Sequence, residues 1–172
     1  MRESFHSVRL FLFWLLITYI VFNFLTVIRP FPIGWDDLGR YINLPRQLSV
    51  MNQILPSIPA VQWEYITSLG FMLFGYFSTF GATLTQQINW MAGLLAVLAV
   101  YGCTRFVLGQ KAGLLAALFY YTWPMTGHYS FADMKTENAL FFYGAIGLLC
   151  IFQFLQLHKN DTKKNSLQWL FL

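Results

Sequence analysis

The sequence has few charged side chains and few cysteines. Of its 172 residues only 10% are charged, whereas 57% are hydrophobic and 19% are aromatic. One small soluble core cannot bury that much apolar surface, so a soluble globular domain is excluded. The two cysteines, Cys103 and Cys150, lie within apolar runs without metal-ligand spacing, which argues against a redox pair or a zinc site. No block of basic residues indicates nucleic-acid binding. The composition therefore predicts an integral membrane protein.

Long apolar runs predict an all-α polytopic fold with about four transmembrane helices. The first span covers about residues 8–28, which matches a hydrocarbon core of roughly 30 Å. A cleavable signal peptide is the competing interpretation, but the run is too long and no A-x-A-like site follows it. Further spans are expected at about 86–108, 112–125 and 138–157. An apolar restart at 166–172 predicts a fifth span, so we expect residues 1–172 to be the N-terminal part of a longer protein.

The direction of the later spans depends on residues 61–77. Arg2 and Arg9 flank the first span, which predicts a cytoplasmic N-terminus. If residues 61–77 cross the membrane, Asp36 and Asp133 lie on opposite sides. If this segment forms interfacial helices instead, outer loops 29–85 and 126–137 share one side, and the later basic residues lie inside with Arg2 and Arg9. Charge placement favours the second arrangement, in a plasma or bacterial inner membrane.

Acidic residues concentrate in these two loops. The stretch "GWDDLGRY" carries Asp36 and Asp37, and "FADMKTENALFF" carries Asp133, Lys135 and Glu137. Helix capping is the structural explanation for each acid, because carboxylates bind the free amide groups at helix N-termini. The functional hypothesis is that Asp36 and Asp133 meet in one outward-facing cleft. There a carboxylate can act as a general base, or the pair can hold a divalent cation such as Mg²⁺ or Mn²⁺.

Basic residues accompany the acids in both loops. They are Arg40, Arg46 and Lys135, and each could hold a phosphate group through charge-assisted hydrogen bonds. Contact with solvent or with lipid headgroups is the alternative explanation for each. The sequence alone leaves this choice open.

With these elements in order, the chain resembles the GT-C class of polytopic glycosyltransferases, which includes the protein O-mannosyltransferases and the aminoarabinose transferases. In that class a first span is followed by an outer loop with paired acids, surface helices, a helical hairpin and a second acidic loop. The matching stretches here are "WDDLGRY", "WEYITSLGFMLFG", the hairpin run from "NWMAGLL" to "YYTWP", and "FADMKTENALFF". The resemblance covers nearly the whole chain, through short motifs.

The resemblance implies a cell-envelope enzyme that moves a sugar from a polyprenyl-phosphate-linked donor to a lipid, glycan or protein acceptor at the outer membrane face. It makes Asp36 the leading candidate for the catalytic base and Asp37 the neighbouring alternative. It makes Asp133 similar to the second-loop acid that helps to organise the acceptor, the donor phosphate or a metal. Lys135, Glu137, Arg40 and Arg46 are further candidates for substrate binding because of their charges and their positions in the two loops. The missing later spans would leave this piece inactive alone. The alternative is a non-enzymatic membrane protein, either a transporter fragment or an assembly subunit.

Overall fold

The chain is helical throughout the part that the structure describes. The computed structural model describes residues 2–29, 40–51, 62–127 and 134–159. Asp36, Asp37 and Asp133 lie outside these ranges, as does the apolar restart at 166–172. In the described ranges the helices are α1 (Arg2–Val27), α2 (Asn43–Met51), α3 (Gln62–Thr67), α4 (Leu69–Phe74), α5 (Thr79–Leu108), α6 (Gln110–Thr122), α7 (Pro124–Gly127) and α8 (Glu137–Lys159).

Three of these helices are long and apolar enough to cross a membrane. The spanning segments are Ser7–Val27 in α1, Thr79–Leu108 in α5 and Glu137–Gln156 in α8. Large apolar side chains on all three helices remain exposed, among them Phe11, Leu98 and Leu148. A bundle in lipid needs such a surface, because apolar side chains there face hydrocarbon rather than water. The predicted all-α polytopic membrane fold is confirmed.

The region predicted as a span at 112–125 contains a shorter helix. α6 has 13 residues, which at about 1.5 Å per residue is less than the roughly 30 Å of a hydrocarbon core. It ends at Thr122 because Trp123 is extended, with φ −62° and ψ 129°. A residue before a proline favours that conformation, and Pro124 follows directly. Among the described helices, α6 therefore does not reach the length of a full span.

The long helix α5 begins at Thr79, well before the predicted residue 86. Ser78 is extended, and its hydroxyl oxygen accepts a hydrogen bond from the backbone N–H of Gly81 at 3.2 Å. This is an N-cap, which satisfies one of the free amide groups of the first turn. The first turns of α5 contain several polar residues, so the apolar run shows only the later part of the helix.

Contacts along the bundle give the direction of each long helix. Near one end, Arg9 Nη1 of α1 donates to Gln110 Oε1 at 3.0 Å, beside the turn at Gly109 that joins α5 to α6. Near the other end, Gln86 Nε2 of α5 donates to the backbone oxygen of Arg29, just after α1. α1 is therefore antiparallel to α5, and α6 returns along both helices.

The last long helix runs parallel to α5. Met134, just before α8, packs in one cluster with Ala82 in the first turn of α5. Further along, Cys103 Sγ lies 3.1 Å from the backbone oxygen of Ala145. The segments 28–29, 40–51, 62–78, 123–127 and 134–136 thus gather at one end of the bundle, which we call the loop end. The opposite end contains Arg9 and the α5–α6 turn, and we call it the turn end.

Residues 62–74 form two short helices rather than a span. α3 and α4 have six residues each and are separated by Ser68. Both pack against the start of α5, where Thr85 Oγ1 donates to the backbone oxygen of Thr67 at 2.9 Å. Gly70 permits this approach, since a Cβ at its position would lie 2.4 Å from the backbone oxygen of Gly81. The described part of the segment therefore stays at the loop end.

Candidate active site

The loop end holds the buried polar side chains of the described residues. In a bundle whose surface faces lipid, buried polar groups are costly unless they are paired, so their location marks a functional region. The set is spread over α1, the short helices, the start of α5 and the start of α8. Its members are Asn23, Glu64, Thr67, Ser68, Thr85, Gln86, Asn89, Thr126 and Asn138.

An apolar cluster joins the two acidic loops at this end. Ile42 from the first loop, Phe71 of α4, Ala82 of α5 and Met134 of the second loop are all buried and in contact. Met134 directly follows Asp133, and Ile42 lies six positions after Asp36. The cluster therefore brings the chain segments that follow Asp36, Asp37 and Asp133 to one place, although these three side chains lie outside the described residues.

Charged groups from both loops surround Tyr41. Burial raises the pKa of the Tyr41 phenol, and the charge of Glu137 raises it further, whereas Arg40 and Lys135 lower it. A charge shifts a pKa in this way when it lies near the titrating group. Three of the residues predicted for substrate binding, Arg40, Lys135 and Glu137, are thus neighbours around Tyr41.

The side chains of Arg40 and Glu137 differ in exposure and role. Arg40 is exposed, and its guanidinium carbon lies 5.4 Å from the centre of the Tyr41 ring. Glu137 is the first residue of α8, where a carboxylate interacts favourably with the helix dipole. Its Oε2 atom is buried and accepts no hydrogen bond from the described residues. Stabilisation of the helix N-terminus explains why an acid stands at position 137. The unpaired Oε2 atom can in addition accept a hydrogen bond from a ligand.

Arg46 makes contacts with two aromatic rings. Its guanidinium carbon is 5.2 Å from the centre of the Phe71 ring and 5.7 Å from that of Tyr76. The side chain therefore stacks on two aromatic faces and links α2 to α4, which is a structural contact worth about 0.5–2 kcal/mol per ring. Its predicted role in phosphate binding stays a prediction.

Glu64 is a buried acid at the loop end that was not predicted as a site residue. This side chain on α3 is only 1% exposed, and neither carboxylate oxygen accepts a hydrogen bond from the described residues. Its neighbour Trp63 is held by α5, because Trp63 Nε1 donates to Asn89 Oδ1 at 2.9 Å. The available signal was an acid between two aromatic residues, with Thr67, Ser68 and Phe71 at helical spacing behind it. These residues form the buried face of α3 and α4.

The pKa of Glu64 predicts how stability changes with pH. Burial raises this pKa, while its own backbone N–H and the charge of Arg40 lower it in part. Between the unfolded pKa and the raised folded pKa the folded protein binds more protons, so the free energy of unfolding falls as pH increases through that window. We expect the melting temperature of the wild type to fall relative to Glu64→Gln as pH rises above about 4.5. Thermal unfolding of both proteins in detergent across pH 4–8 measures this difference, and parallel curves would contradict it.

A cavity of about 150 Å³ lies between α3 and the start of α8. Trp63 and Tyr143 provide aromatic faces, Ile66 and Leu140 provide apolar walls, and Thr136 provides a hydroxyl. Aromatic faces with a few polar groups are typical of small-ligand sites. Its lining residue Thr136 directly precedes Glu137 in the sequence. The cavity therefore lies at the same end of the bundle as the charged residues near Tyr41.

The described residues do not include a metal centre. No group of three or more His, Cys, Asp or Glu side chains in residues 2–29, 40–51, 62–127 and 134–159 is arranged to hold a metal ion. The predicted ligands Asp36 and Asp133 lie outside these ranges. A divalent cation at that pair stays a prediction.

Comparison with known proteins identifies the family. The family model described as dolichyl-phosphate-mannose-protein mannosyltransferase matches residues 59–172, about two thirds of the chain. The match includes Glu64, Asp133, Lys135 and Glu137 and begins after Asp36 and Asp37. No curated protein and no solved structure gives a significant match. The matched residues span α3–α8 with their loop-end charges, and the chain therefore belongs to the dolichyl-phosphate-mannose-protein mannosyltransferase family of GT-C-like membrane glycosyltransferases.

Proposed function

We propose that the chain forms part of the catalytic region of a membrane transferase that takes a sugar from a polyprenyl-phosphate-linked donor. The acceptor is a lipid, glycan or protein at the outer membrane face. The observation that carries this proposal is the buried cluster of Ile42, Phe71, Ala82 and Met134, which joins the two acidic loops. The family match supports the reaction class.

In the proposed reaction, the carboxylate of Asp36, or of its neighbour Asp37, accepts the proton of the acceptor hydroxyl. The hydroxyl oxygen forms a bond to the anomeric carbon of the sugar, and the bond from that carbon to the phosphate oxygen breaks. The polyprenyl phosphate leaves with the bonding electron pair. Arg40 and Lys135, which both act on Tyr41, would offset the negative charge of the leaving phosphate.

A lipid-borne donor explains why the reactive groups lie at a membrane surface. Its polyprenyl tail remains in the bilayer, so its phosphate and sugar can react only close to the interface. The loop end supplies polar groups at this level, with the exposed apolar surfaces of α1, α5 and α8 below them. A transporter would instead place polar groups near the bilayer centre. The buried polar side chains of the described residues lie towards the loop end, which favours the enzyme over the non-enzymatic alternative.

The orientation of the bundle is part of the proposal. Three basic residues, Arg9, Arg105 and Lys111, lie at the turn end. Because cytoplasmic loops carry an excess of Lys and Arg, we propose that the turn end faces the inside of the cell. The loop end and its acids would then face outwards from a plasma or inner membrane. We expect single cysteines at positions 36 and 133, introduced after Cys103 and Cys150 are replaced by Ala, to react with a membrane-impermeant thiol reagent added outside. Reaction of the two positions from opposite sides would contradict the shared site.

Lys135 provides a test of donor binding. Removal of its ammonium in Lys135→Ala should weaken binding of the polyprenyl-phosphate donor to the full-length enzyme by about tenfold or more, because a hydrogen bond to a charged group contributes about 1.5–3 kcal/mol. The measurement is donor affinity by titration, with the melting temperature as the control for folding. Lys111→Ala, at the turn end, is the matched control and should leave donor affinity unchanged. Equal donor affinity in Lys135→Ala and the wild type would remove Lys135 from the site.

A further inference from the structure

A groove separates α1 from the α5–α6 pair in the half of the bundle near the turn end. Its volume is about 370 Å³, within the range of sites that bind small ligands. The lining is mostly aliphatic and aromatic and comes from three helices: Leu10, Phe13, Leu16, Ile17 and Ile20 of α1, Val97, Leu98 and Tyr101 of α5, and Leu114 of α6. Leu16 and Val97 are buried at the base of the groove.

The groove opens sideways towards lipid. The wall residues Leu10, Phe13 and Leu98 are 44%, 43% and 54% exposed. A hydrocarbon chain could enter between them from the bilayer without passing through water. Along α1 the lining extends from residue 10 to residue 20, a distance of about 15 Å at 1.5 Å per residue. That length suits a large part of one extended acyl chain.

The mouth of the groove is polar and carries positive charge. Arg9 and Gln110 line it, and Gln110 Oε1 accepts a hydrogen bond from Arg9 Nη1 at 3.0 Å, which holds the guanidinium at the mouth. Tyr101 also lines the groove, and the Arg105 guanidinium carbon lies 5.9 Å from the centre of its ring. Lys111 follows Gln110 in the chain. Two cationic side chains, Arg9 and Arg105, therefore lie at or next to the groove, and a third basic residue, Lys111, follows in the chain.

We propose that this groove binds one anionic phospholipid from the membrane leaflet at the turn end. One acyl chain lies between α1 and α5, and the phosphodiester contacts Arg9. Basic pockets between transmembrane helices bind acidic lipid headgroups through the same combination of apolar groove and cationic rim. This site is separate from the loop end, and lipid binding there does not require transferase activity.

The lipid would fill the part of the bundle that side chains leave open. α1 joins the bundle chiefly near Leu16, Tyr121 and Trp90, through packing with Val97 and Ala117 and through ring contacts from Tyr19 and Phe24. The groove runs along α1 from residue 10 to residue 20 and leaves open space beside these contacts. An acyl chain there replaces missing van der Waals contacts between α1 and its neighbours. The lipid would thus hold α1 in place at the turn end.

Native mass spectrometry of the full-length protein tests the proposal. The protein is placed in nanodiscs that contain phosphatidylcholine and phosphatidylglycerol, and the lipids retained on the released protein are counted. We expect the wild type to retain one phosphatidylglycerol in preference to phosphatidylcholine. Arg9→Gln should reduce this preference about fivefold, because a basic residue near an anionic headgroup contributes about 1 kcal/mol. Arg9→Lys keeps the charge and should retain most of the preference.

A second pair of variants tests the groove itself. Leu98→Trp places a larger ring in the groove wall and should abolish lipid retention. Leu15→Trp adds the same ring to α1 at a position that is 43% exposed and does not line the groove, so retention should be normal. Retention of phosphatidylglycerol that is equal in wild type, Arg9→Gln and Leu98→Trp would overturn the proposal. Displacement of phosphatidylglycerol by polyprenyl phosphate at equal concentration would also overturn it. A groove that is covered by a second copy of the chain and holds no lipid would overturn it as well.

Discussion

Asp36→Asn in the full-length protein is expected to reduce sugar transfer by at least about 100-fold, because a positioned general base contributes about 10²–10⁴ in rate. The substitution separates the two explanations of this acid. Asn caps a helix about as well as Asp does, so the structural role survives. The amide cannot accept the proton of the acceptor hydroxyl, so the catalytic role is lost. Transfer of labelled sugar from a polyprenyl-phosphate donor measures the effect.

The neighbouring acid supplies the comparison for this experiment. Asp37→Asn has the same change in charge one position further along the chain. If Asp36 is the base, Asp37→Asn keeps substantially more activity, and the reverse result assigns the base to Asp37. Melting temperature and membrane insertion should match the wild type in both variants. Near-normal transfer by both well-folded variants would exclude the pair as the source of the base.

Gly70→Ala is expected to have the largest effect on stability. A Cβ at this position would lie 2.4 Å from the backbone oxygen of Gly81 and from Thr85 Oγ1, and 2.8 Å from the backbone nitrogen of Thr85. Two of these atoms belong to the backbone of α5, so α4 must move away. Overpacking of this kind costs about 1–3 kcal/mol, and loss of the hydrogen bond from Thr85 to Thr67 adds about 1 kcal/mol. We expect the melting temperature to fall by about 4–16 °C.

The same substitution should impair transfer, because α4 carries Phe71 of the cluster that joins the two acidic loops. Gly144→Ala in α8 is the matched control, since a Cβ there meets no atom within 4 Å. Ala also favours a helix over Gly by about 1 kcal/mol, so this control should be neutral or slightly stabilising. Thermal unfolding in detergent compares the two variants. Equal melting temperatures would show that α4 does not depend on its close contact with α5.

Several features of the site followed from local chemistry in the sequence. The spacing of Lys135 and Glu137 at the start of an apolar run predicted charged groups at a helix N-terminus, and α8 begins at Glu137. Arg40 in the first loop was also predicted for substrate binding, and its charge acts on Tyr41 as those of Lys135 and Glu137 do. The roles of these residues in substrate binding stay predictions.

Other features depended on contacts that no local pattern reveals. Arg46 looked like Arg40 in sequence, but its guanidinium stacks on Phe71 and Tyr76, which come from residues 25 or more positions later. Glu64 was not selected from the sequence, but α3 packs so that its carboxyl is buried at the loop end. The exposure of a side chain depends on what other segments place against it, so the sequence of its own segment is insufficient.

The sequence by itself determined that the chain lies in a membrane, that it is helical, and where its long apolar runs lie, because hydrocarbon requires internally bonded backbone over lengths of about 30 Å. It also showed the resemblance to glycosyltransferases that the family match bears out. Only the tertiary structure decided that residues 62–74 turn back along α5 and that Ile42 meets Met134. These outcomes depend on close packing between distant segments, such as Gly70 against Gly81, and the energy of such contacts exists only once the helices are assembled.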